Sequence, residues 1–183
     1  MRHDNRTGRV IESSWIPSAN FDARPPGTRI NALVIHCISL PPGKYGGDDI
    51  ERFFCNCLDH DAHPYFERIR GMRVSSHFLI RRDGGLVQFV STLDRAWHAG
   101  RSMLDGVPEV NDFSIGVELE GVDHGEYTDA QYRTLAQLTC VLIAVYPEIG
   151  CGRIVGHSDI APERKTDPGP YFDWPRFRRD VGV

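Results

Sequence analysis

The sequence predicts an α/β fold of the α+β type: a central mixed β-sheet flanked by helices. Three observations predict it. Residues 31–38 form a mostly continuous apolar run of strand length, which suits a strand buried on both faces. Residues 74–82 and 86–90 flank Asp83-Gly84-Gly85, a strong hairpin signal, so at least one strand pair is antiparallel. A long amphipathic helix, opened by the capping-box pattern Thr128-Asp129-Ala130-Gln131, alternates irregularly with these strands.

The elements follow in order. Residues 1–29 read as an N-terminal arm with little periodicity, ending in Arg24-Pro25-Pro26-Gly27. The strand over 31–38 carries one polar exception, His36, near its C-terminal end. Residues 40–47 are a loop. Asp48 or Asp49 caps a short helix through Cys57 that sets Ile50, Phe53, Phe54 and Cys57 on one face. His60 and His63 stand between acids in a polar connection, which favours a solvated loop over a metal site. After the hairpin, residues 112–121 read as a strand whose period of two puts Gly116, Glu118 and Glu120 on one face. The helix from Thr128 runs to about Val145, where Pro147 stops it, and buries Tyr132, Leu135, Ala136, Leu138, Leu142 and Val145. Residues 153–156 resemble a strand end delivering His157, and residues 173–177 a short capped helix.

Composition narrows the function classes. At 183 residues, 40% apolar and 25% charged, the chain suits one domain with a substantial core, spanning 1–183 with the arm packed on it. The net charge of −4 provides no overall basic field to draw in nucleic acid or anionic membrane. The first residues contain no apolar signal core, and the longest apolar run, Cys140-Val141-Leu142-Ile143-Ala144-Val145, is too short for a membrane span. Five cysteines without an export signal point to reduced thiols in the cytoplasm.

The densest chemistry lies in residues 156–170, where His157, Lys165 and Asp167 share a Pro- and Gly-rich loop. Lys165 and Asp167 are two apart, so in an extended loop they point the same way. On these residues alone, a metal ligand with a charged helper and a surface loop with an ordinary ion pair both stay open. His36 is equally open between ligand and satisfied core residue. The Ala96-Trp97-His98-Ala99-Gly100 stretch suits a binding wall or a packing tryptophan.

Taken together and in order, Val34-Ile35-His36, Ala96-Trp97-His98-Ala99-Gly100, Phe113-Ser114-Ile115-Gly116-Val117-Glu118-Leu119-Glu120-Gly121 and Gly156-His157 followed by residues 160–170 resemble the AmpD family. These are cytoplasmic anhydro-N-acetylmuramoyl-L-alanine amidases of peptidoglycan recycling, sharing the fold of phage-lysozyme-type amidases and peptidoglycan recognition proteins. The resemblance implies one zinc ion per chain, held by His36, His157 and Asp167, with Glu118 as general base and Lys165 stabilising the oxyanion. Such a base must be ionised near pH 7. The implied substrate is a small soluble muropeptide, cut between the lactyl group and L-alanine, with Trp97 against the sugar and Arg73 meeting the peptide. The implied protein is a cytoplasmic monomer with no nucleic-acid or membrane partner. The chain departs from the family pattern at Cys37, where an Asn is common, and at Glu109, where an Arg is common; both bear on peptide specificity and leave the zinc chemistry untouched. A non-catalytic fragment sensor and an amidase of polymeric wall are the competing readings.

Overall fold

The computed structural model describes residues 1–183, apart from the side chain of Cys151. Its strands are β1 (His3–Asp4), β2 (Arg9–Val10), β3 (Ser14–Trp15), β4 (Phe21–Asp22), β5 (Ala32–Ile38), β6 (Phe78–Ile80), β7 (Leu86–Gln88), β8 (Arg95–Ala96), β9 (Met103–Leu104), β10 (Val107–Pro108), β11 (Ser114–Glu120) and β12 (Ile154–Gly156). Its α-helices are α1 (Asp49–Phe54), α2 (Pro64–Glu67), α3 (Asp129–Val145), α4 (His157–Ile160) and α5 (Trp174–Val181). Six strands form a mixed sheet in the order β12-β5-β11-β6-β7-β3. The first four run parallel, β6 and β7 form the antiparallel hairpin, and β3 closes the far edge parallel to β7.

The two long central strands divide their side chains by parity. Leu33 and Ile35 of β5, with Ile115, Val117 and Leu119 of β11, pack into the core formed with Leu135, Leu138 and Leu142 of α3 and Phe177 of α5. The even positions face the opposite way. Parallel pairing sets Gly116 beside Val34, Glu118 beside His36 and Glu120 beside Ile38, so one polar row crosses two adjacent strands. A second apolar cluster, including Phe54, Phe66, Leu79 and Phe89, supports the sheet on the hairpin side.

Several elements differ from the sequence reading, each for a local reason. The arm is threaded through the fold, because β3 joins the main sheet and β4 pairs with β8. Two-residue strands are too short to show a period. Helix α1 stops at Phe54, and Asn56 adopts a left-handed φ of 60° that ends the segment before Cys57. Residues 110–112 form a 3-10 turn instead of opening β11, after Glu109 takes a left-handed φ of 57°. As expected, the strand at 154–156 delivers His157 at its end, and His157 then opens the single helical turn α4.

Helix α3 begins as its sequence signals. Thr128 Oγ1 accepts the Gln131 N–H at 3.1 Å, and Gln131 Oε1 accepts the Thr128 N–H at 3.0 Å. The same hydroxyl donates to the Arg82 carbonyl at 2.7 Å, tying the helix start to the hairpin. We expect Thr128→Ala to cost about 1–2 kcal/mol and to lower the melting temperature by about 3–6 °C. Thermal unfolding followed by circular dichroism checks this, with Thr128→Ser retaining most of the wild-type value.

Candidate active site

The C-terminal ends of three parallel strands bring the sequence-distant histidines together. Gly156 pairs with Ile35, so His157 emerges beside His36. The loop after α4 returns Asp167 to the same point. Nδ1 of His36 lies 2.9 Å from Nδ1 of His157, and Asp167 Oδ2 lies 3.2 Å and 3.1 Å from them. Among the described residues these three side chains form one cluster with metal-ligand atoms, all within 4.8 Å of one another.

Hydrogen bonding on the far side of each ring decides what this cluster is. His157 Nε2 lies 3.1 Å from the Ala99 carbonyl, which can only accept, so Nε2 carries the proton and Nδ1 is a lone pair. Ser114 donates its hydroxyl to the Val110 carbonyl at 2.6 Å. Its oxygen therefore accepts from His98 Nε2 at 3.2 Å, and His98 Nδ1 accepts from His36 Nε2 at 2.9 Å. His36 Nδ1 is then also a lone pair. Two lone pairs and a carboxylate oxygen thus meet with no proton of their own to share, an arrangement that calls for a cation. Tetrahedral ligands at ~2.0 Å from zinc stand about 3.3 Å apart, close to the observed separations. The donor set of two imidazoles and one carboxylate leaves a fourth position free.

Burial tunes the surrounding groups. Desolvation pushes His36 down to about 4, against the opposing contact with Asp167. Burial also works against the charge on Asp167, but the two imidazoles outweigh it and hold its carboxyl well below the usual carboxylate range. Glu118 and Glu120 share a strand face and are both buried, yet they differ in satisfaction. Glu120 accepts from the backbone N–H groups of Gly46 and Arg82, at 2.6 Å and 3.0 Å, and pairs with Arg81. Glu118 Oε2 has no hydrogen-bond partner among the described residues. Desolvation, and next the charge of Asp167, push the Glu118 carboxyl well above its ordinary value, while Lys165 pulls it back.

A cleft of about 430 Å³ opens over the cluster, and Glu118, Lys165, Asp167, His157 and Trp97 line it. Lys165 and Asp167 do face the same space. Trp97 Nε1 is buried without a hydrogen-bond partner, an indole donor left for a ligand. Arg73 is not brought to this cleft; it is exposed and lines a smaller adjoining pocket of about 150 Å³ with His60 and Met72. Cys37 borders the cleft, with burial raising its thiol to about 12. Glu109 lies elsewhere, 3.5 Å from Arg95 and in a separate pocket with Arg101. His63 caps α2 through its ring nitrogen and His60 contacts the Phe66 carbonyl, so this pair does local structural work. Of the two readings of residues 96–100, the binding wall fits, since Trp97 and His98 both line the cleft, and His98 also contacts His36; the parts played by Ser114 and the Ala99 carbonyl were missed. A carbonyl contact leaves no signal in residue type.

A mixed sheet with an imidazole–imidazole–carboxylate cluster beside an open cleft is the arrangement of a hydrolase with a candidate metal site. The family model described as N-acetylmuramoyl-L-alanine amidase matches residues 26–170. The 1,6-anhydro-N-acetylmuramyl-L-alanine amidase AmpD of Salmonella typhimurium (strain SL1344) is 54% identical over 176 residues, covering 96% of this chain and 94% of that protein. A crystal structure of a selenomethionine AmpD derivative superposes with a TM-score of 0.95 at 52% identity, covering 99% of each chain. The amidase AmiD from E. coli, in complex with the substrate anhydro-N-acetylmuramic acid-L-Ala-D-γ-Glu-L-Lys, superposes with a TM-score of 0.62 at 30% identity, covering 87% of this chain and 61% of that one. The chain belongs to the N-acetylmuramoyl-L-alanine amidase family.

One buried histidine outside the cluster provides a clean pH test. His77 is fully buried; Nδ1 accepts the Gly116 N–H at 3.0 Å and Nε2 faces the Asp94 carbonyl at 3.1 Å. Burial first, then the charge of Arg24, lowers it from 6.5 to about 3. As pH falls below 6.5, the unfolded chain takes up a proton that the folded ring refuses, so stability declines until about pH 3. Melting curves of the metal-free protein should fall less steeply between about pH 6.5 and pH 4 for His77→Gln than for wild type.

Proposed function

We propose that this protein is a zinc-dependent amidase that cuts the amide between the lactyl group of anhydro-N-acetylmuramic acid and the L-alanine of the stem peptide. The observation that carries the reading is the convergence of His36, His157 and Asp167 as three acceptors, two of which, His157 and Asp167, line the cleft. The whole-length likeness to AmpD and the muropeptide bound by AmiD support the substrate class. Residues 1–183 act as one amidase domain.

In this reading His36, His157 and Asp167 hold one zinc ion. When bound, zinc polarises the scissile carbonyl and acidifies an adjacent water. Its charge also favours the ionised form of Glu118, which the buried cleft alone disfavours. Glu118 takes a proton from the water as its oxygen adds to the carbonyl carbon. The Lys165 ammonium faces the same cleft and stabilises the charge developing on the carbonyl oxygen. Glu118 then returns the proton to the departing nitrogen as the C–N bond breaks, and the second proton of the water follows, leaving a lactyl carboxylate and an alanine ammonium group. Trp97 presents its apolar face and its unpaired indole N–H to the sugar. Arg73, on the adjoining pocket, meets the far end of the peptide through its charge.

The partner is a small muropeptide, handled by a monomer with no nucleic-acid or membrane partner and located in the cytoplasm. The net charge of −4 provides no overall basic field for nucleic acid or an anionic membrane. No helix among the described residues is long and apolar enough to cross a membrane. Cys37, Cys55, Cys57 and Cys140 are free thiols, as suits a reducing compartment.

Incubation with defined anhydro-muropeptides should release free peptide, detected by mass spectrometry, and a chelator should abolish release until zinc is restored. Glu118→Gln should keep the metal and lose about 10²–10⁴-fold in kcat. A near-normal kcat in that variant would remove Glu118 from the role of base.

A further inference from the structure

We propose that Asn111 is a positioning residue that sets both imidazoles of the cluster at once, through the backbone of residues 98 and 99. The proposal rests on the zinc-amidase reading. Asn111 lies in the 3-10 turn Val110–Asp112 and is 5% exposed. Its Oδ1 accepts two consecutive backbone N–H groups, from His98 at 3.1 Å and Ala99 at 2.8 Å. One side-chain oxygen therefore dictates the local path of the chain.

Two arms leave that point. The first is the His98 side chain, which receives the Nε2 proton of His36 and passes its own proton to Ser114. Ser114 donates in turn to Val110, the neighbour of Asn111, so this arm ends in the same 3-10 turn that begins it. The second arm is the Ala99 carbonyl, which receives the Nε2 proton of His157. Both ligand rings thus have their tautomer and tilt set by adjacent residues hung from one amide.

The surroundings hold this hub in place. Gly116 leaves the seat for the His98 ring, since a Cβ there would stand 2.5 Å from His98 Cγ. The Arg24 guanidinium donates to the carbonyls of Asn111, Asp112 and Ser114, at 3.1, 2.7 and 2.9 Å. From the other side, Arg164 Nη2 donates to the carbonyls of Ala99 at 2.6 Å and Arg101 at 2.8 Å. Without the Asn111 acceptor, two buried N–H groups are orphaned, and the chain shifts to satisfy them. His98 and the Ala99 carbonyl then move together, and both imidazoles lose their outer partner. Loss of such outer contacts weakens metal binding by about 10–100-fold.

The test compares wild type with Asn111→Leu, which keeps the bulk and removes the acceptor, and Asn111→Asp, which keeps an acceptor oxygen. Zinc affinity is measured by competition with a chromophoric chelator, imidazole tautomers by long-range proton–nitrogen correlation spectra, and melting temperature on the metal-free proteins. We expect Asn111→Leu to bind zinc about 10–100-fold more weakly, with the Nε2–H form no longer dominant at His36 and His157. Asn111→Asp should restore most of the affinity. A lowered melting temperature with unchanged affinity and tautomers would overturn the proposal, as would weakening in Asn111→Asp equal to that in Asn111→Leu. If Asn111→Leu does not fold, Asn111→Ser, whose hydroxyl falls short of both amides, takes its place with the same expectations. A wild type that binds no zinc sinks the metal reading instead, and the tautomer spectra alone then decide the positioning role.

Discussion

The register of three parallel strands is the constraint on which everything else depends. Ile35 pairs with Gly156, and His36 pairs with Glu118. Parallel pairing holds residues of equal register side by side, and the period of two sends neighbours along each strand to opposite faces. The choice that buries Leu33, Ile35, Val117 and Leu119 against α3 and α5 is therefore the same choice that sends His36 and Glu118 to the opposite face, where Glu118 lines the cleft. A slip of one residue would exchange the two sets, burying an imidazole and a carboxylate among leucines. The core protects the site because any register that broke the site would first break the core.

That arrangement concentrates groups which disfavour one another without a cation. His36 is driven toward its neutral form by burial, Glu118 likewise, and Asp167 adds like charge beside Glu118. Glu120 shows the contrast. One residue pair further along the same strands, it is saturated by two amides and Arg81, and is a structural ion. Lys165, in the same cleft, opposes the effect of burial on Glu118. A buried carboxyl left short of partners is poorly explained by stability and well explained by chemistry that moves protons. A divalent ion bound by the native state alone would relieve this frustration and add its binding free energy to folding.

Much of this was legible in the residues, and the limits are physical. The 31–38 run, the hairpin and the α3 capping box each follow from local pattern, and all three appear where expected. The cluster His36, His157 and Asp167 came from ordered motifs rather than from spacing, because 121 residues separate the two histidines and only the sheet brings them together. The arm and the turn at 110–112 escaped, since two-residue strands and a left-handed Glu109 carry no periodic signal. Arg73 illustrates a different limit. A residue's presence in a motif says nothing of which pocket it faces, and this one lines the neighbour of the main cleft.

The two departures from the family pattern fall where the fold can absorb them. Cys37 follows His36 along the strand, so its side chain turns toward the opposite face, partly packed on the core, and its thiol stays protonated with Tyr127 beside it. It reaches the edge of the cleft without joining the three acceptors. Glu109 is displaced further, on an exposed left-handed residue paired with Arg95. Neither belongs to the hydrogen-bonded chains that run from Val110 and Ala99 to the two imidazoles. Those chains tolerate little change, because each imidazole and the Ser114 hydroxyl has one proton to give, and each chain must end on a carbonyl that only accepts.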